Sequence, residues 1–218
     1  MMNSDKPTSL SEGLREANID AWRAATTHRF VRELADDTMP EAVFRRYLMQ
    51  DFSFIETLVE LLGYAVAKAP SMDAKRTLAA FLIGVTGDET NYFERALTAV
   101  GAPGAFVTPP PLNDVTEAFR GMMIDTAANG SYAEILSILV PAEWIYMTWA
   151  QEARAAGKRP ARFYLDEWIE LHSTPVFVAF VDWARGELDR ELAIGAATRS
   201  RATALFAETV ALEVKFFD

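Results

Sequence analysis

Apolar side chains recur three and four residues apart along most of this chain. In the stretch after Pro40, Phe44, Leu48, Ile55, Leu58 and Leu62 fall on one helical face. Leu139, Tyr146 and Met147 share a face further on, and Leu205, Leu212 and Phe216 do so near the end. No segment of useful length alternates with period two, so strands are not expected. Capping and breaking residues mark the ends. Ser9 with Glu12 makes a capping box for a first helix running to about Asp36. Pro40 suits the first turn of a second helix, which Pro70 ends. Ser71 caps a third, stopped by Gly101, with a kink expected near Gly84 and Gly87. Residues 102–112 are rich in proline and read as a loop. Asp114 with Glu117 opens a fourth helix, and Ser131 with Glu134 a fifth that ends at Gly157. Two more flank Ser173-Thr174-Pro175, and the last runs from about Ala196. The expectation is an all-α helical bundle, one domain over residues 1–218.

Composition narrows what such a bundle can do. Half of the 218 residues are hydrophobic and 24% are charged, the balance of a globular domain. Thirty-one acidic residues against 21 basic ones give a net charge of −10. With no run of Lys or Arg, that charge speaks against a nucleic-acid partner. The absence of cysteine removes disulfides, Cys-ligated metals and thiolate nucleophiles. Only His28 and His172 are present, and no Glu-x-x-His occurs, so no di-metal centre, other metal or cofactor is expected. No apolar stretch approaches the roughly 18 residues of a membrane helix. The N-terminal stretch lacks a signal peptide's apolar core, so a cytoplasmic protein without a membrane partner is expected.

Three carboxylates then stand out. Asp51 lies in the middle of the apolar face of the second helix. Glu143 shares a face with Leu139, Tyr146 and Met147, and Glu213 one with Leu205, Leu212 and Phe216. An unpaired buried carboxylate costs several kcal/mol, so each needs a partner or a function. Burial also raises its pKa towards the range useful for proton transfer. Aromatics crowd the same segments: Tyr47, Phe52 and Phe54, then Trp144, Tyr146 and Trp149, then Phe216 and Phe217. Such stripes usually form core. Mixed with inward carboxylates, they also suit a flat, nitrogen-rich heterocycle, which rings stack on and carboxylates accept from. Pro141 sits inside the fifth helix and should bend it, aiming Glu143 or Tyr146.

Larger runs carry a resemblance. His28-Arg-Phe-Val-Arg-Glu-Leu34, Asp37-Thr-Met-Pro40, Phe44, Tyr47 and Gln50-Asp51 resemble the opening of the TenA / thiaminase II family. Gly130-Ser-Tyr-Ala-Glu-Ile-Leu136, Leu139-Val-Pro141-Ala-Glu-Trp144-Ile-Tyr146 and Trp168-Ile-Glu-Leu-His172 continue it, as does the helix around Glu213. The resemblance implies a haem-oxygenase-like all-α fold and a homotetramer or homodimer. It also implies hydrolysis of aminopyrimidines in thiamin salvage. The family's pyrimidine-binding Asp falls on Asp51 and its stacking aromatic on Phe54. Family pocket tyrosines fall on Phe119, Tyr146 and His172, and the catalytic C-terminal Glu on Glu213; Tyr47 joins the substrate pocket. The family's thiaminases carry Cys directly after the Pro, where this chain has Ala142 followed by Glu143. That looks like the Cys-less subgroup. The implied catalytic set is Glu213 as proton donor, Glu143 on the water and Tyr146 hydrogen-bonded nearby. The implied substrate is 4-amino-5-aminomethyl-2-methylpyrimidine or its N-formyl derivative, with thiamin cleavage not expected. The alternatives are a non-catalytic pyrimidine-binding protein and a C–N hydrolase acting on a different heterocycle.

Overall fold

Local signals set most of the helix ends in the computed structural model, which describes residues 9–108 and 110–218. The stretch 1–8, part of the N-terminus inspected for a signal peptide, lies outside the described residues, as does Pro109. Eleven α-helices run in order among the described residues, with no strand. They are α1 (Leu10–Ala17), α2 (Ile19–Thr26), α3 (Arg29–Ala35), α4 (Glu41–Lys68), α5 (Met72–Gly84), α6 (Thr90–Ala99), α7 (Asp114–Asn129), α8 (Tyr132–Ala155), α9 (Phe163–Leu171), α10 (Pro175–Ile194) and α11 (Ala196–Phe216).

The expected single first helix is instead three short ones. Asn18 ends α1 by turning its side-chain amide onto the Leu14 carbonyl, at 2.9 Å. His28 starts α3 by accepting the Phe30 amide N–H on Nδ1, at 3.2 Å. Both are polar residues that offer the backbone an exit from the helix, and the apolar spacing conceals them. Ser9 accepts from the Glu12 amide, but the Glu12 carboxylate turns to Arg15 and Arg185, leaving half a capping box. Asn113, not Asp114 with Glu117, caps α7 by accepting from the Thr116 amide at 2.8 Å. Pro40 stands one residue earlier than expected, as the N-cap of α4. The Ser131–Glu134 box is complete, and Thr174 caps α10 with Pro175 in its first turn. Gly101 and Gly157, both at φ 74°, follow α6 and α8, where a left-handed residue ends a helix at least cost in glycine.

The kink anticipated near Gly84 and Gly87 is a five-residue π-helical turn, Val85–Glu89, that joins α5 to α6. It widens the backbone spiral and rotates the following side chains relative to a continuous α-helix.

α8 is the central element. From Ile135 to Met147 every side chain is buried, the mark of a helix enclosed on all sides. It packs lengthwise on α10 and α11, while α4 packs on α5 and α7. Pro141 lies inside α8, where the Ser137 carbonyl loses its usual amide partner. The turn before α4 is tied down by Asp37, at φ 58°, whose carboxylate accepts from the Ala161 amide at 2.8 Å and from Arg162 Nε at 2.5 Å. These ties fix the start of α4, the helix that carries Asp51.

Candidate active site

A cavity of about 310 Å³ lies between α4, the π-turn, α8, α9 and α11. Its polar lining is Asp51, Glu89, Glu143, Tyr146, His172 and Glu213, and its aromatic lining includes Phe54 and Trp168. The inward-facing carboxylates expected from helical spacing all reach it. Asp51, Glu143 and Glu213 are 3%, 8% and 2% exposed, so none is bathed by bulk solvent. Two of their oxygens, Asp51 Oδ2 and Glu213 Oε2, are buried with no hydrogen-bond partner. Such groups cost stability, which marks them as acceptors waiting for donors.

Tyr47 and Phe119 stand one layer back. The Tyr47 hydroxyl shares a 2.8 Å hydrogen bond with the Tyr146 hydroxyl, fixing the Tyr146 ring. Phe119 meets Phe54 edge to face at 4.9 Å and sets its tilt. His172 packs 4.4 Å from Trp168 and 4.8 Å from Tyr146, centroid to centroid. Its Nδ1 lies 2.8 Å from the Trp168 carbonyl. A carbonyl only accepts, so Nδ1 carries the proton and Nε2 is left as an acceptor. Burial lowers the His172 pKa to about 4, so the ring is neutral at pH 7. Ala142 and Glu143 both line the cavity although consecutive on α8.

Two lining residues escape a reading from periodicity. Trp168 contributes a ring and a buried indole N–H without a partner. Glu89 is a fourth carboxylate, brought in by the π-turn. The available hint was the pair of glycines in its neighbourhood, since a π-bulge inside a helix frequently marks a functional position.

Electrostatics reinforce the geometry. Burial pushes the Asp51 carboxyl well above its ordinary range, Glu89 adds repulsion, and Tyr47 pulls the other way. Glu143 is raised by burial, then by Glu89 and Asp51; Glu213 is raised by burial, then by Asp51 and Glu143. Burial raises Glu89 to about 8. Four acids in one small space suppress one another's ionisation. Among the described residues, no three His, Cys, Asp or Glu side chains come together in a group that could hold a metal ion. The arrangement suits a flat organic cation or a hydrogen-bond donor better, clamped by acids at its edge and by rings on its faces.

Residues 16–218 match the TENA/THI-4/PQQC family model. The chain belongs to the TENA/THI-4/PQQC family. An aminopyrimidine aminohydrolase of Halalkalibacterium halodurans is 20% identical over 211 residues, 96% of this chain and 94% of its own. An aminopyrimidine aminohydrolase of Bacillus subtilis is 22% identical over 84% of this chain and 74% of its own. The crystal structure of a TenA homologue from Pyrococcus furiosus superposes with a TM-score of 0.85 at 23% identity, covering 95% of this chain and 98% of that one. The fold of this TENA/THI-4/PQQC member is therefore the TenA-type, haem-oxygenase-like helical fold. No helix among the described residues is long and apolar enough to cross a membrane.

Proposed function

We propose that this protein is a hydrolase of thiamin salvage, acting on aminopyrimidines or their N-formyl derivatives. The observation that carries the reading is the ring of Asp51, Glu89, Glu143 and Glu213 around an aromatic cavity of about 310 Å³. Membership of a family with named aminopyrimidine aminohydrolases supports it. An aminopyrimidine has a flat ring for Phe54 and Trp168, and amino and ring N–H groups for the free oxygens of Asp51 and Glu213. A protonated amine also offsets the repulsion among the acids, so its binding favours their ionised forms and releases protons.

In the hydrolysis of the aminomethyl compound, a water oxygen bonds to the exocyclic methylene carbon. The carbon–nitrogen bond breaks, and the nitrogen leaves as ammonia with one added proton. Glu143 takes the proton from the water, and Glu213 supplies the one the leaving nitrogen needs. Tyr146, held by Tyr47, orients the water. Ala142 has no nucleophile to offer, so thiamin, whose cleavage in the family draws on the missing Cys, is not the substrate. The same alanine motivates a second reading, a pyrimidine-binding protein without turnover.

The test is to incubate the protein with the aminomethylpyrimidine, its N-formyl derivative and thiamin, following ammonia, formate and hydroxymethylpyrimidine. Release from the first two and none from thiamin is expected. Glu143→Gln should lower kcat/KM by about 100-fold or more while binding hydroxymethylpyrimidine within a few-fold of wild type. Tight binding without any release would favour the second reading. Release from thiamin would remove the role assigned to Ala142.

A further inference from the structure

Beside the site runs a second, larger concavity of about 1320 Å³, between the α5–π-turn segment and α10. Glu89 and His172 line both spaces. The His172 ring joins them physically, with Tyr146 on one side at 4.8 Å and Phe177 on the other at 5.1 Å. Away from this neck the groove is apolar. Phe81 stacks on Phe180 at 3.6 Å and lies 6.2 Å from Phe177, and Trp183 packs 5.8 Å from Phe180. Asp88 and Glu89 are its only charged lining residues, and both belong to the π-turn.

The neck has its own hydrogen-bonding character. His172 Nε2 is an acceptor, because Nδ1 gives its proton to the Trp168 carbonyl. Glu89 in its acid form, favoured at pH 7 by a pKa of about 8, is a donor. One acceptor beside one donor complements a secondary amide, which offers one N–H and one carbonyl.

We propose that the site takes N-acylated aminopyrimidines with an apolar acyl chain. The amide lies across the Glu89–His172 neck, and the chain rests in the groove floored by Phe81, Phe177, Phe180 and Trp183. This rests on the aminopyrimidine reading and extends its substrate class past the formyl group. The reaction is a hydrolysis. Water adds to the acyl carbon, the amide carbon–nitrogen bond breaks, and the nitrogen takes a proton and stays on the pyrimidine as a free amine. The carboxylic acid departs through the groove.

The test compares the N-formyl derivative with the N-isovaleryl derivative in the wild type and in Ala80→Trp. Ala80 is exposed on the groove wall and does not line the inner cavity. Binding is read by titration and turnover by release of formate or isovalerate. The wild type is expected to bind the isovaleryl compound about tenfold more tightly than the formyl one, as burial of several methylene and methyl groups implies. Its kcat/KM is expected to rise in step. Ala80→Trp should erase that gain and leave the formyl values within about twofold. An unfolding temperature near that of the wild type certifies the variant, and the wild-type comparison stands without it. Equal or weaker binding of the isovaleryl compound overturns the inference and leaves the aminopyrimidine reading intact. So does a gain that survives Ala80→Trp. A change of sedimentation mass in Ala80→Trp assigns the groove to contact between copies and overturns it too. Failure of either compound and of hydroxymethylpyrimidine to bind overturns both.

Discussion

Glu89 has the least crowded description of the four acids: burial raises its carboxyl to about 8, and no other cause contributes. It is therefore mostly protonated at pH 7. If the acid form donates to a substrate carbonyl at the neck, kcat/KM for the N-formyl compound should fall as pH rises through about 8, about tenfold per unit beyond it. Glu89→Gln keeps a donor and cannot titrate, so its profile should stay level over that range. An alkaline limb that persists in Glu89→Gln would assign the titration to another group. The other acids were legible because helical spacing puts Asp51, Glu143 and Glu213 on apolar faces, and the structure buries all three. Glu89 was not, because the spacing rule assumes 3.6 residues per turn and the chain abandons that period at Val85. Periodicity also gives a face but not a depth. Tyr47 and Phe119 lie on the correct faces, yet touch the cavity's lining rather than the cavity.

Helices with a strong local stop were read well, and those broken by subtle polar residues were not. Ser71, Ser131 and Thr174 each accept a backbone N–H where expected. Asn18 and His28 interrupt a stretch whose apolar spacing continues across them. The glycines were correctly taken as weak points, and Gly84 allows a direct check of that cost. It has ordinary helical dihedrals, φ −60° and ψ −49°, and an added Cβ there would meet nothing within 4 Å. Gly84→Ala should raise the unfolding free energy by about 1 kcal/mol in urea titration, because alanine loses less backbone entropy on entering the helix. A loss of stability would show that the adjoining π-turn needs a glycine at its start. The activity assay adds a second reading: Gly84 lines the groove rather than the inner cavity, so formyl turnover should stay near wild type.

Four inward acids make the molecule's stability depend on pH in a direction opposite to that of surface ion pairs. The folded state raises the pKa of Asp51, Glu89, Glu143 and Glu213 above their unfolded values. It then holds more protons than the unfolded chain once pH exceeds the ordinary carboxyl range of about 4. Unfolding becomes easier as pH rises, until each folded pKa is passed. His172 acts in the other direction: its folded pKa of about 4 lies below the ordinary value near 6.5, so its contribution grows between those limits and is complete above them. Asp37 works at the acid end. Burial alone would raise its pKa, but the Arg162 guanidinium and the Ala161 amide hold it below 3.8. Its contribution is lost only as pH falls through that lower value. Between about pH 6.5 and 8.5 the interior acids alone therefore change, and the urea midpoint should fall across that window, with Glu89 titrating near 8. Glu89→Gln should shrink the fall. Saturating aminomethylpyrimidine should shrink it further, because a bound cation offsets the repulsion that ionisation creates. A midpoint that rises across the window would place the acids in ionised, partnered states before any ligand arrives, and would remove the electrostatic reason for the cavity to prefer a cation.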